Sequence, residues 1–123
     1  MVKSDFSRSN IEKNYFGLTD RDMQTMLDIF IKYPEVQTVF VFGSRAKQTH
    51  KPGSDIDLAI MNAGVRETVI SKIKGDFDES SLPYTVDLVN YPVLNHAELK
   101  NHIDRVGVLF YQKEGFYNLL KKE

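Results

Sequence analysis

The run Val36–Phe42, VQTVFVF, ends in unbroken β-branched and aromatic residues and stops at Gly43-Ser44. A segment that is apolar on both sides of the pleat predicts a strand covered on both faces, so the chain must supply packing layers for a sheet. The flanking sequence supplies them. Thr19 and Asp22 form an acidic capping box, and Met23, Met26, Leu27, Phe30 and Ile31 then recur on one helical face until Tyr33-Pro34. Asp55–Met61, DIDLAIM, alternates with Ile56, Leu58 and Ile60 on one side and Asp55, Asp57 and Ala59 on the other. Val65, Val69, Ile70, Ile73 and Phe77 make a second helical stripe, and Tyr84–Asn90 predicts another strand between Pro83 and Pro92. Asn95 with Glu98 opens a further helix carrying Leu99, Ile103 and Val106 inward, followed by a strand at Val108–Gln112.

Between the first two strands lies Ser44–Ser54, SRAKQTHKPGS, read as a short helix at Ser44–Gln48 and then a loop. This order predicts an α/β fold, a small mixed sheet of three to five strands with flanking helices. Residues 1–17 are expected to be an N-terminal arm with a helical turn at Ile11–Phe16, residues 18–112 the domain, and residues 113–123 a C-terminal tail. The tail is expected to turn into a short helix from Phe116. Phe110, Tyr111, Phe116 and Tyr117 are expected to be core residues, and with Leu119 and Leu120 this tail has a partner-docking face as its alternative reading.

Composition removes several function classes. A net charge of -1 argues against the dense phosphate contacts by which proteins hold duplex nucleic acid. The absence of cysteine removes disulfide frameworks, thiolate metal sites and a cysteine nucleophile, and suits a reducing, cytoplasmic setting. The longest apolar run, Val106–Tyr111, is far shorter than the roughly 20 residues of a membrane span, and the first residues lack the apolar core of an export signal.

The acids are the informative feature. Asp55 and Asp57, at i and i+2 of a strand, project from one face roughly 6.6 Å apart along the chain. Such a pair repels unless it shares a proton or a cation, and Mg²⁺ takes one or two carboxylates while completing its shell with waters and substrate phosphates. Asp87, set mid-strand between Val86 and Leu88, is a third candidate ligand. Gly43-Ser44, where a strand turns into a helix, offers close backbone approach, free N–H groups and a hydroxyl for phosphate oxygens, with Arg45 and Lys47 near to balance charge. Each residue has a plainer reading: Ser44 as a helix cap, Asp55 as a turn residue, Asp57 and Asp87 as exposed strand acids. His50, His96 and His102 do not fall at a helical metal-ligand spacing.

Gly43-Ser44, ten residues, then Asp55-Ile56-Asp57 resembles the G-S-x10-D-x-D pattern of the DNA polymerase beta-like nucleotidyltransferases, and Val86-Asp87-Leu88 stands where that family places its third carboxylate. Order and length over Leu18–Tyr111 resemble its minimal nucleotidyltransferase subgroup, which works with a separate helical protein of HEPN type. The resemblance implies transfer of a nucleoside monophosphate, AMP from ATP, to a hydroxyl. Asp55 and Asp57 would hold one or two Mg²⁺. Asp87 would hold the metal nearest the acceptor and orient or deprotonate its hydroxyl, and Gly43, Ser44 and Arg45 would bind the nucleotide. It also implies a HEPN-type partner encoded nearby, or self-association, with the antitoxin of a toxin–antitoxin pair among the roles. Two other readings stand beside it: a catalytically idle module that neutralises a partner by covering it, and a small-molecule nucleotidyltransferase, which would need an acceptor pocket.

Overall fold

The computed structural model describes residues 16–113. The expected helical tail and most of the N-terminal arm lie outside the described residues. In chain order the elements are α1 (Asp20–Ile31), β1 (Thr38–Phe42), α2 (Gly43–Lys47), β2 (Ile56–Ile60), α3 (Glu67–Asp78), β3 (Val86–Asn90), a 3-10 turn (Tyr91–Val93), α4 (Ala97–Val106) and β4 (Val108–Gln112). Four strands form one mixed sheet in the order β3-β2-β1-β4. β1 is antiparallel to both β2 and β4, and β2 is parallel to β3 across the α3 crossover that a parallel pair requires.

Alternation along the strands divides the side chains between two layers. Val39, Val41, Ile56, Leu58, Ile60 and Leu88 pack against Met26, Ile29 and Phe30 of α1 and Val69, Ile70, Ile73 and Phe77 of α3. Phe42 and Ala59 face the other way and meet Ile103, with Leu99 and Val106 of α4 around them. β1 is therefore covered on both faces, as its unbroken apolar run requires. The capping box at α1 forms: Thr19 Oγ1 accepts from Asp22 N at 3.0 Å, and Thr19 N donates to Asp22 Oδ2 at 3.3 Å. α1 is tied to α3 beyond its apolar face, since Tyr33 Oη donates to Asp76 Oδ2 at 2.5 Å and Lys32 Nζ lies 2.9 Å from that oxygen.

Some boundaries differ from the sequence expectation. β1 starts at Thr38 rather than Val36, because Gln37 N and Thr38 N both donate to Asn62 Oδ1. α4 is capped by His96, whose Nδ1 accepts from Leu99 N at 3.1 Å, and not by Asn95. An imidazole nitrogen here does what a shorter amide does at most caps. Phe16 and Gly17, assigned to the arm by sequence, belong to the folded body. Phe16 is buried with its ring edge-on to Phe110, and its carbonyl accepts from Arg45.

Candidate active site

β2 is the spine of the site. Its register puts Phe42 of β1 opposite Asp57 on one side and Asp87 of β3 opposite Asp57 on the other. Directly opposed residues in adjacent strands share a face, so the ladder itself sets Asp57 beside Asp87. Asp55 is just before β2, two residues from Asp57 and of the same parity. All three acids therefore belong to the α4 side of the sheet, at the end where β2 and β3 begin and β1 finishes.

At that end the chain leaves β1 through Gly43, whose φ is +75°. A Cβ built on Gly43 would overlap Asp57 Oδ2. Only glycine meets both demands, a left-handed backbone and a carboxylate lying against the α-carbon. Gly43 and Ser44 form the first turn of α2, whose N-cap is Phe42 and which has no side-chain cap bond. Ser44 is thus not engaged as a helix cap, and it follows Gly43, the residue that lies against Asp57.

Asp57 is half-buried, and its carboxyl is pushed up to about 6. Burial is the largest cause, followed by the charges of Asp87 and Asp55; Arg45 acts in the opposite direction. A carboxylate in that setting lacks positive charge. Asp55 and Asp87 are exposed. The exposure of Asp87 agrees with its plainer reading as an exposed strand acid, although it stands between Val86 and Leu88: among the described residues β3 is at the edge of the sheet, and solvent reaches the Asp87 side chain. Among the described residues no three His, Cys, Asp or Glu side chains are grouped tightly enough to hold a metal ion. What fits a divalent cation here is the donor chemistry, a half-buried carboxylate raised by two neighbouring carboxylates on the same face.

Arg45 stands apart from Gly43 and Ser44. Its side chain is only 2% exposed. Nη1 donates to Phe16 O at 2.7 Å, Nη2 to Ser54 O at 2.8 Å and Nε to Ser54 O at 3.2 Å. The guanidinium clamps the start of the described chain to the residue preceding Asp55. This burial departs from the sequence expectation of a phosphate contact from the turn. The composition of SRAKQTHKPGS does not reveal it, because one partner carbonyl closes the loop at Ser54 and another lies 29 residues upstream at Phe16. Lys47 is exposed.

Comparison with known proteins agrees with this geometry. A family model described as polymerase beta, nucleotidyltransferase matches residues 24–115. A probable protein adenylyltransferase, MntA of Haemophilus influenzae, is 36% identical over 78 residues, which are 63% of this chain and 68% of that protein. A crystal structure of a toxin–antitoxin with AMP-PNP has a chain superposing with a TM-score of 0.62 at 21% identity, covering 80% of this chain and 79% of that one. A tri-AMPylated HEPN toxin in complex with MNT antitoxin from Shewanella oneidensis gives 0.56 at 19% identity, with 80% and 76% covered. At such identities these structures report on the fold, and the fold is the same. The strand–Gly-Ser–helix turn, the acids on β2 and β3 and the family match over most of the chain converge: this chain belongs to the polymerase beta nucleotidyltransferase family.

Proposed function

We propose that the chain transfers AMP from ATP to a hydroxyl group on a helical, HEPN-type partner protein. The observation that carries this reading is the contact of Gly43 with Asp57 beside the in-register pair Asp57–Asp87. It brings the turn suited to phosphate and the carboxylates suited to a divalent cation to one end of one sheet face. Asp55, Asp57 and Asp87 would hold one or two Mg²⁺, whose charge favours the bound triphosphate and the leaving pyrophosphate. Gly43 and Ser44 hold terminal phosphate oxygens through backbone N–H groups and the Ser44 hydroxyl. Asp87, solvent-facing on the edge strand, orients the acceptor hydroxyl and takes its proton. The acceptor oxygen forms a bond to the α-phosphorus, the bond from that phosphorus to the bridging oxygen breaks, and pyrophosphate leaves with the electron pair. Arg45 acts as a positioning residue, fixing Ser54 and so the approach to Asp55.

The partner follows from what the second face leaves open. Asp55 and Asp87 are exposed, so an acceptor can reach them from outside the chain. The net charge of -1 gives little hold on a nucleic-acid acceptor. The naming of MntA as a protein adenylyltransferase and the AMPylated HEPN toxin in complex with its MNT antitoxin support a protein acceptor. The test is intact-mass spectrometry of the chain and its helical neighbour with ATP and Mg²⁺. The neighbour should gain one or more AMP-sized increments, and Asp57→Asn should prevent them. A tight complex with no mass change, and no other acceptor consumed, would establish a silent cover instead.

A further inference from the structure

On the other side of the strands from the acids, a cleft of about 350 Å³ opens between the loop before Asp55 and the turn before α1. Its walls include Gly17, Arg45, His50, Lys51, Gly53 and Tyr84, and among the described residues they contain no carboxylate. Neither Gly43 and Ser44 nor any of the three site acids contributes to it. Tyr84 has the parity of Val86 and Leu88, and it packs with them on the α1 and α3 layer. The cleft wall ends at Gly53, two residues before Asp55, and Tyr84 places it on the layer opposite the acids.

The charge on the cleft's walls is unbalanced. Arg45 is a buried cation held by four hydrogen bonds to backbone carbonyls, those of Phe16, Gly17 and Ser54, the last accepting two. Among the described residues no carboxylate lies within ion-pair distance of it. A guanidinium has five N–H groups, so at least one remains for another acceptor. The cation also lies over the Tyr84 ring, 4.5 Å from its centroid. A buried charge met at contact distance by dipoles and a π-face, with Asp57 acting on it only from beyond ion-pair distance, is a costly arrangement that an anion would relieve. His50 adds a second unmet polar group. Its Nδ1 is enclosed with no hydrogen-bond partner among the described residues, and its ring presses on Gly17 so closely that a Cβ there would overlap Nε2. Lys51 brings an exposed ammonium to the rim, and Gly53, with φ +85° and nothing near its α-carbon, leaves the backbone bare.

We propose that this cleft binds a small phosphate-bearing anion, at a site separate from the turn that holds the triphosphate. Its volume falls in the range of small-molecule sites, about 300–1,000 Å³, and suits a pyrophosphate or a mononucleotide. The inference does not depend on the transfer reaction, and the test reads binding alone. The full chain, labelled with ¹⁵N and kept in EDTA so that no divalent cation bridges an anion to the acids, is titrated separately with inorganic pyrophosphate and with AMP. Saturable shifts are expected at the amides of Gly17, His50 and Gly53, with Gly43 and Ser44 unmoved. Tighter binding of pyrophosphate would identify a polyphosphate site, and tighter binding of AMP a mononucleotide site. A double variant, His50→Ala with Lys51→Ala, should weaken binding about tenfold or more, on the scale of charge-assisted hydrogen bonds. Both residues lie in the loop and leave the carbonyl clamp of Arg45 intact, whereas replacing Arg45 itself would untie the fold. Shifts confined to Gly43 and Ser44, no saturable shift with either probe, or a double variant that binds as tightly as the parent would each overturn the proposal.

Discussion

Leu58 and Asp57 are adjacent on β2 and occupy different media. Leu58 is fully buried beneath α1 and α3, while Asp57 is half-buried on a face that α4 covers only in part. The first face closes with apolar side chains from every strand. The second gathers carboxylates that repel one another, and burial together with the charges of Asp87 and Asp55 pushes Asp57 up to about 6. One strand does both because its side chains alternate, and the comparison shows where stability and chemistry separate: burial on one face offsets the electrostatic cost on the other.

The largest expected effect comes from breaking the closed face. Phe30 is fully buried, with its ring 5.6 Å from Phe77, 6.3 Å from Phe110 and 6.0 Å from Tyr111. Phe30→Ala should cost about 3–5 kcal/mol of unfolding free energy, measured by urea titration, because three elements, α1, α3 and β4, lose a shared contact at once. A loss under about 1 kcal/mol would mean that the aromatic cluster is not the centre of the core.

Next in size is the opposite experiment on the open face. Asp57→Asn should reduce transfer at least a hundredfold, roughly 3 kcal/mol in the barrier, while leaving the unfolding midpoint unchanged or higher. Activity and stability then move in contrary directions on a single strand. If the variant unfolds more readily than the parent at neutral pH, Asp57 is holding the structure together and the separation of the two faces fails.

Gly43→Ala tests the joint between the faces. The new Cβ meets Asp57 Oδ2 in a backbone at φ +75°, so a destabilisation of about 1–3 kcal/mol is expected, together with loss of transfer as the carboxylate is displaced. Gly53→Ala is the control. It has a positive φ but nothing within 4 Å of the new methyl group, so only the backbone cost of about 1 kcal/mol should appear. Equal losses of transfer in the two variants would show that the Asp57 contact contributes nothing beyond backbone strain.

How much of this was legible in the sequence depended on whether the signal was local. The alternation of Ile56, Leu58 and Ile60 with Asp55, Asp57 and Ala59 lies within one segment, and both the strand and its division into two faces appear in the fold. Gly43-Ser44 between an apolar run and a short polar segment likewise marks the strand-to-helix turn. What failed was set by distant chain. Whether solvent reaches a strand acid depends on what covers its face, so the sequence left Asp87 open between an acid that needs a partner and an exposed one, and the fold exposes it. Arg45 in a basic loop has the composition of a solvated residue, and the carbonyls of Phe16, Gly17 and Ser54 turn it inward. His96 took the cap expected of Asn95 because either side chain offers an acceptor, one residue apart.

The smallest expected effect is a pH dependence that belongs to the open face alone. A carboxyl raised in the folded protein binds its proton more tightly there than in the unfolded chain. Its contribution to stability is complete below the ordinary carboxylate range, near pH 4, and is lost as pH rises through about 6. Because solvent reaches the half-buried Asp57, the full conversion of that shift is discounted to about 1 kcal/mol. Glu35 and Asp76 are held below their usual range by Arg66 and by Tyr33 with Lys32, so they work in the other direction, losing stability as pH falls. Comparing the parent with Asp57→Asn cancels them. The two proteins should be equally stable near pH 4.5, and the variant should become the more stable by about 1 kcal/mol by pH 7.5, in urea titrations with EDTA present. Adding Mg²⁺ should narrow that difference by favouring the charged carboxylate of the parent. A gap that is constant across the range would mean that Asp57 carries its charge on this face without penalty, and that the two sides of β2 differ in packing only.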